Sequence, residues 1–185
     1  MKIALTGSSS SGKTTLARSL MENPKFVELA GEFVTEDARS LLRTLGHQSM
    51  DEMTRAEQRE FQERYLEQKA ANELDRECFL VDRSYVDVAA YWLVRDGFDL
   101  PLDEQERFEH TCCELARNYD IHIHFPFGQI SFASDGYRSE DVEFHERIAT
   151  KIHDLLRGWD IEHVTIESPN LEARLKQVLV ATGCV

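Results

Sequence analysis

The sequence predicts an α/β fold: a five-stranded parallel sheet with helices on both faces. Three observations carry that expectation. Short apolar runs alternate with longer stretches of helical periodicity along the 185 residues, the pattern of parallel strands joined by helical crossovers. The first apolar run leads straight into "GSSSSGKTT", a glycine-rich loop that opens a helix. The length suits one well-buried core, so a single domain over residues 1–185 is expected.

Each element follows from a local signal. Residues 2–6 (KIALT) read as the first strand, and residues 13–22 as a helix starting at the glycine loop, with Pro24 just beyond its end. The apolar run FVEL, 26–29, reads as the second strand. A helix through Ala38, Leu41, Leu42 and Leu45 stops at Gly46. Thr54-Arg55-Ala56-Glu57 reads as a capping box for a long polar helix reaching toward Glu77. Its thin apolar stripe (Phe61, Tyr65, Leu66, Ala70, Leu74) suits a helix on the rim of a cleft. Cys78-Phe79-Leu80-Val81 is a continuous apolar strand, as burial on both faces requires. Helices over 84–95 and about 104–117 follow, then the strand 121–125, ended by Pro126 and Gly128. A helix over 140–157, a strand over 163–166 and a helix over 171–180 complete the chain. In such a doubly wound sheet, ligands belong at the carboxyl ends of the strands.

Composition narrows the function. With 34 acidic against 21 basic side chains, net −13, the surface repels polyanions, and no basic run offers a grip on duplex phosphates. The N-terminal apolar run is too short to read as a signal peptide. No apolar stretch approaches the roughly 18 residues of a membrane span. Four cysteines without a C-x-x-C pair, two of them adjacent (Cys112 and Cys113), suit reduced, partly buried thiols better than zinc or disulfides. A cytoplasmic protein is expected.

The glycine loop fits G-x-x-x-x-G-K-[ST], with Gly7, Gly12, Lys13 and Thr14 in the required places. Backbone N–H groups along Ser8, Ser9, Ser10, Ser11, Gly12 and Lys13 can wrap a phosphate, and the helix that begins there points its positive end at the same anion. Lys13, expected on a surface loop, would bridge β- and γ-phosphate oxygens of ATP. The Thr14 hydroxyl would bind Mg²⁺, and Thr15 completes the loop.

The second informative stretch is "FLVDRSYVDVAAYW", 79–92. It sets Asp82 at a strand's carboxyl end beside the phosphate loop, where a Mg²⁺ ligand belongs, and Arg83 where its planar fork can reach a phosphate or substrate oxygen. An ordinary solvated strand-end pair is the plainer alternative. His122 and His124 alternate on one strand and so share a side, but nothing in the spacing of the histidines converges on a metal. Tyr91 and Trp92 suit the core, with Tyr91 or Tyr85 as alternative lining for an acceptor pocket.

The phosphate loop, "DRS…D…AY", "AEQREFQERYLEQ", "YDIHIHFP" and "SDGYRSED" together resemble the NadR-type P-loop kinases, the ribosylnicotinamide kinase-like family. The Asp-Arg pair is also similar to that of thymidylate and deoxynucleoside kinases. The resemblance implies a nucleoside-monophosphate-kinase-like P-loop core and γ-phosphoryl transfer from ATP to a nucleoside, a nucleotide or a similar small acceptor. It implies a lid over about 127–139 carrying Arg138, with Arg147 as a further lid candidate. It implies a carboxylate after the second strand that takes or orients the acceptor proton. Glu28 matches that position best, Glu32 competes, and both also suit solvated helix-start residues. Gly31 stands where the relatives carry an arginine, a role left to Arg39 or Arg43. A homodimer is compatible with this reading. The alternatives are a P-loop ATPase coupled to a protein partner and a kinase acting on a modified base in DNA, the latter disfavoured by the charge.

Overall fold

The computed structural model describes residues 1–35, 38–95, 100–130 and 141–184. Its sheet has five parallel strands: β1 (Lys2–Thr6), β2 (Glu32–Val34), β3 (Phe79–Asp82), β4 (Ile121–His124) and β5 (His163–Thr165), in the spatial order β2-β3-β1-β4-β5. The central strand β1 is apolar on both sides because both sides are covered. Ile3 and Leu5 join Leu80 and Ile123 in a core shared with Leu16, Leu20, Phe26 and Val178. Ala4 and Val81 face the opposite core, formed with Tyr85, Trp92, Ile148 and Ile152.

Helices α1 (Lys13–Leu20), α2 (Pro24–Ala30) and α8 (Leu171–Ala181) cover the first face. On the other lie α3 (Ala38–Thr44), α4 (Arg55–Glu73), α5 (Tyr85–Arg95), α6 (Leu102–Ala116) and α7 (Val142–Gly158). The Thr54–Glu57 capping box is formed in both directions, satisfying two orphan donors at the start of α4. That helix ends at Glu73, short of the expected 77, and Leu74 is exposed. Its inner face holds an ion pair. Lys69 Nζ, fully buried, donates to Glu73 Oε1 at 2.5 Å, and the Tyr119 hydroxyl donates to the same carboxylate. The Lys69 ammonium also lies 5.0 Å from the centre of the Tyr85 ring. Desolvating such a pair costs several kcal/mol per ion, so its extra hydrogen bonds and ring contact are needed to offset the burial.

One element differs from the sequence expectation. Residues 26–29 form the middle of α2, and the second strand comes later, at Glu32–Val34. Asn23 accepts from the Phe26 N–H at 3.2 Å and Pro24 occupies the first turn, so this segment starts a helix instead of ending one. Gly31 closes α2 with φ +70°, where a Cβ would meet the Cys78 carbonyl at 2.7 Å. Glycine is therefore required there by the fold, and with the strand beginning only at Glu32 this position no longer matches the one where an arginine was expected.

Two site assignments change with this correction. Glu28 is exposed on α2, away from any strand's carboxyl end. Glu32 lies at the first residue of β2, paired in register with Phe79 at the start of β3, and forms an ion pair with Arg76. It is therefore at the end of the sheet opposite the phosphate loop. The acidic residues that follow Thr35 in sequence, Glu36 and Asp37, lie outside the described residues, as do Arg138 and the rest of 131–140.

Candidate functional site

The central position of β1 sets the site. Leu5 is in register with Asp82 of β3 and Thr6 with His124 of β4, so the loop leaving β1 is flanked by both neighbouring strand ends. At Gly7 a Cβ would lie 2.6 Å from the Phe125 carbonyl oxygen, which no side chain permits. The loop turns over a tight backbone contact with β4 and runs through Ser8, Ser9, Ser10 and Ser11 into α1 at Lys13.

Lys13 is 5% exposed. The sequence expectation of a surface loop is corrected here, because the side chain folds back under its own loop. Nζ donates to the Gly7 carbonyl at 2.6 Å, the Ser8 carbonyl at 2.7 Å and Ser11 Oγ at 3.0 Å. Burial, then the nearby Arg83 cation, brings its pKa down to about 8. Thr14 Oγ1 donates a short hydrogen bond to Asp82, which sits half-buried at the end of β3. Thr15 is exposed on the outer face of α1.

Arg83 occupies a left-handed backbone conformation, φ +83°, uncommon for a residue with a side chain. Its N–H donates to the Leu5 carbonyl at 3.0 Å, fastening the turn after β3 to β1. Its guanidinium reaches the phosphate loop, with Nη2 donating to Ser9 Oγ at 3.1 Å and the Asp87 carboxylate 3.9 Å from Nη1. It also lies 5.0 Å above the Tyr91 ring. Burial acts to lower the Arg83 pKa, but the charges of Tyr91 and Asp87 outweigh it and the guanidinium stays protonated. Tyr91 shares a hydrogen bond of 3.0 Å with Ser9 Oγ. Burial works to raise its pKa, but the Arg83 cation, the Ser9 hydrogen bond and the Lys13 charge together outweigh it, so the net shift is downward.

Two residues with no role assigned from the sequence hold the loop in place. Asp87, 1% exposed, accepts from the Gly7 N–H at 3.0 Å and from the Ser84 N–H and hydroxyl at 2.9 and 3.0 Å. It lies within the "DRS…D" segment, but at the start of a helix a carboxylate reads as a dipole partner, and only the structure shows its hydrogen bond to Gly7. Arg174, from the first turn of α8, donates from Nη1 to the Ser11 carbonyl at 2.7 Å and from Nε to the Ser168 carbonyl. Nothing local in the sequence marks it.

Beside this constellation lies a cavity of about 490 Å³. Ser9, Thr14, Asp82 and Arg83 form its phosphate-loop end, and Phe33, Phe61 and Tyr65 an aromatic wall. Val88, Tyr91 and Arg95 line it from one face of α5, as spacings of three and four residues on a helix allow. Tyr91 is thus cavity lining, whereas Tyr85 is buried and stacked on Tyr119. Arg39 also lines the cavity, while Arg43 is exposed on α3 and donates to the Arg39 carbonyl. Arg147 is exposed on α7, 5.8 Å from the Phe144 ring centre. His122 and His124 are buried beneath the loop. Among the described residues no three His, Cys, Asp or Glu side chains converge as a metal site.

The family model described as an AAA domain matches residues 2–174. The chain belongs to this AAA-domain family. No curated protein matches its sequence. Solved structures share the fold. The deoxyadenosine kinase of M. mycoides with bound dATP aligns at a TM-score of 0.68 and 13% identity, over 99% of this chain and 100% of that one. The NadR protein in complex with NR aligns at 0.68 and 16% identity, over 98% of this chain and 50% of that one, so this chain spans about half of NadR. The thymidylate kinase of Ehrlichia chaffeensis aligns at 0.61 and 16% identity, over 98% of both chains. At these identities the likeness establishes the fold, a P-loop kinase-like α/β sheet. No described helix is long and apolar enough to cross a membrane.

Proposed function

We propose that this AAA-domain chain is an ATP- and Mg²⁺-dependent kinase that moves the γ-phosphoryl group to a nucleoside, a nucleotide or a similar small acceptor, within one domain over residues 1–185. One observation carries the reading. A cavity large enough for a small molecule opens directly onto Ser9, Thr14, Asp82 and Arg83. An ATPase coupled to a partner needs room for water, not an aromatic-walled cavity beside the phosphates. The NadR, deoxyadenosine kinase and thymidylate kinase folds support a small acceptor, whereas the net charge of −13 weighs against DNA.

In this mechanism the loop from Gly7 to Thr15 cradles the ATP phosphates on its backbone N–H groups. Lys13 trades oxygens of its own loop for phosphate oxygens and neutralises charge that spreads in the transition state. The residues present fit Mg²⁺. The Thr14 hydroxyl and Asp82 carboxylate already meet, and an ion of this kind takes few protein oxygens, with phosphate and water as its other ligands. Bound there, it would neutralise phosphate charge. Arg83, anchored on Ser9, stands between loop and cavity and is assigned to the transferring phosphoryl group or the acceptor. Because that transition state is loose, positioning and charge stabilisation matter more than a strong base. Arg138 keeps its proposed place as a lid cation.

The decisive experiment incubates the purified protein with ATP, Mg²⁺ and a panel of nucleosides, nucleotides and DNA. ADP release should be slow alone and rise by orders of magnitude with the right acceptor, in step with phosphorylated product. ADP without product, stimulated by a protein partner, would favour the ATPase. Label in DNA that is lost steeply with salt would favour the DNA kinase. Asp82→Asn should lower the rate and raise the Mg²⁺ requirement with less effect on ATP affinity; full rate at low Mg²⁺ would reduce Asp82 to a strand-end residue.

Lys13 also sets a pH dependence. Its pKa of about 8 in the free protein must rise when an anionic phosphate arrives. Binding then takes up a proton above pH 8, and ATP affinity falls as pH rises past that value while staying flat between roughly 6.5 and 7.5. Calorimetry at about pH 8.5 in buffers of different ionisation enthalpy reads that proton directly. No proton uptake there would mean that Lys13 does not meet the phosphate.

A further inference from the structure

We infer that the acceptor in this cavity is a nucleoside monophosphate and not an uncharged nucleoside, and that Arg18 reads its phosphate. This deepens the phosphotransferase reading and rests on it. The protein carries net −13, yet among the described residues Arg18, Arg39, Arg83 and Arg95 line the cavity beside two carboxylates, Asp82 and Asp87. Both oxygens of Asp87 are engaged by Gly7 and Ser84. Asp82 is bonded to Thr14 at the phosphate-loop end. Arg18 and Arg83 therefore bring cationic groups to the cleft of an acidic molecule, where they attract an anion.

Arg18 is the most informative of the four. It follows Thr14 by four residues on α1, so it shares the helix face that looks into the cavity, about 6 Å farther along the axis. Among the described residues nothing donates to, accepts from or pairs with it, and its guanidinium is exposed. An arginine at a cavity mouth with no anionic partner among the described residues is placed for a ligand anion, and its planar fork matches a phosphate bidentately. Arg83 adds a second incomplete donor, since its buried Nη1 makes no hydrogen bond. The aromatic lining suits a base. Phe61 and Tyr65 stack with ring centres 6.0 Å apart, and Phe33 joins them. The cavity volume of about 490 Å³ lies within the range of small-ligand sites.

The transfer balances without an added base. The second phosphate ionisation has a pKa of about 6, so an acceptor phosphate oxygen is already anionic near neutrality. That oxygen bonds to the γ-phosphorus as the bond from that phosphorus to the β,γ-bridging oxygen breaks. The electron pair leaves on ADP, and the acceptor becomes a nucleoside diphosphate.

Calorimetric titration of the nucleotide-free protein with each of four deoxynucleosides and its 5′-monophosphate tests the assignment without requiring turnover. The best monophosphate should bind about tenfold or more tightly than its nucleoside, in line with a charge-assisted contact. Arg18→Ala should remove most of that difference and leave the nucleoside affinity unchanged, with an unaltered melting temperature because the side chain is exposed. In turnover the same variant should raise KM for the monophosphate at constant kcat. Equal or tighter nucleoside binding, equal weakening of both ligands by Arg18→Ala, or binding of DNA in place of either would overturn the inference. Tight monophosphate binding with no transfer to any acceptor would instead overturn the phosphotransferase reading and leave the ligand class standing.

Discussion

Lys13→Ala is expected to abolish phosphoryl transfer, with a loss of at least roughly 10²-fold, the scale for removing one preorganised electrostatic contact from a water-excluded site. The structure adds a second consequence. Lys13 Nζ donates to the Gly7 and Ser8 carbonyls from within the loop, so its removal takes that donor from Gly7 and leaves Ser8 only the Ser11 hydroxyl. The free loop should loosen, and ATP affinity should fall along with the rate. Lys13→Arg should fail as well, because a planar fork cannot reproduce three point contacts in a space where the native side chain is 5% exposed. Single-turnover rates and ATP titrations on both variants, with melting temperature as the check on folding, read these effects. Near-normal turnover in either folded variant would sink the assignment of the loop to ATP phosphates.

The phosphate loop was legible because its chemistry is local. Two glycines, a lysine and a threonine at fixed spacing between a strand and a helix leave few other structures open. Strand β3 and its terminal Asp82 were legible for a similar reason, as four apolar residues ending in a charge mark a doubly buried strand. The segment 26–29 was misread because a short apolar run has no period of its own. The deciding signal lay outside the run, in Asn23 and Pro24, which suit a helix start as well as a helix end. That one shift displaced Glu28 and Glu32 from the site together. Asp87 and Arg174 were invisible for a different reason. Each touches the loop across 80 or more residues of chain, through backbone groups of the loop that no side-chain pattern reveals.

Asp87→Asn is expected to damage both stability and catalysis, and Asp87→Ala to do so more severely. The carboxylate is 1% exposed and accepts three hydrogen bonds, one from the phosphate loop and two from the turn after β3. An amide turns one acceptor into a donor that must face either Gly7 N–H or Ser84. It also removes the negative charge 3.9 Å from the Arg83 guanidinium. Leaving a buried donor unsatisfied and a cation without its partner costs about 3 kcal/mol, which lowers the melting temperature by about 6–12 °C in a chain of this size. Turnover should fall by at least roughly 10²-fold even well below melting, because Gly7 begins the path that the phosphates must follow and Arg83 is held by the same carboxylate. A purely structural role would lower the melting temperature and spare the ATP affinity of the folded fraction. Titration at low temperature separates the two, and ATP binding by Asp87→Asn at native strength would confine this carboxylate to holding the turn after β3.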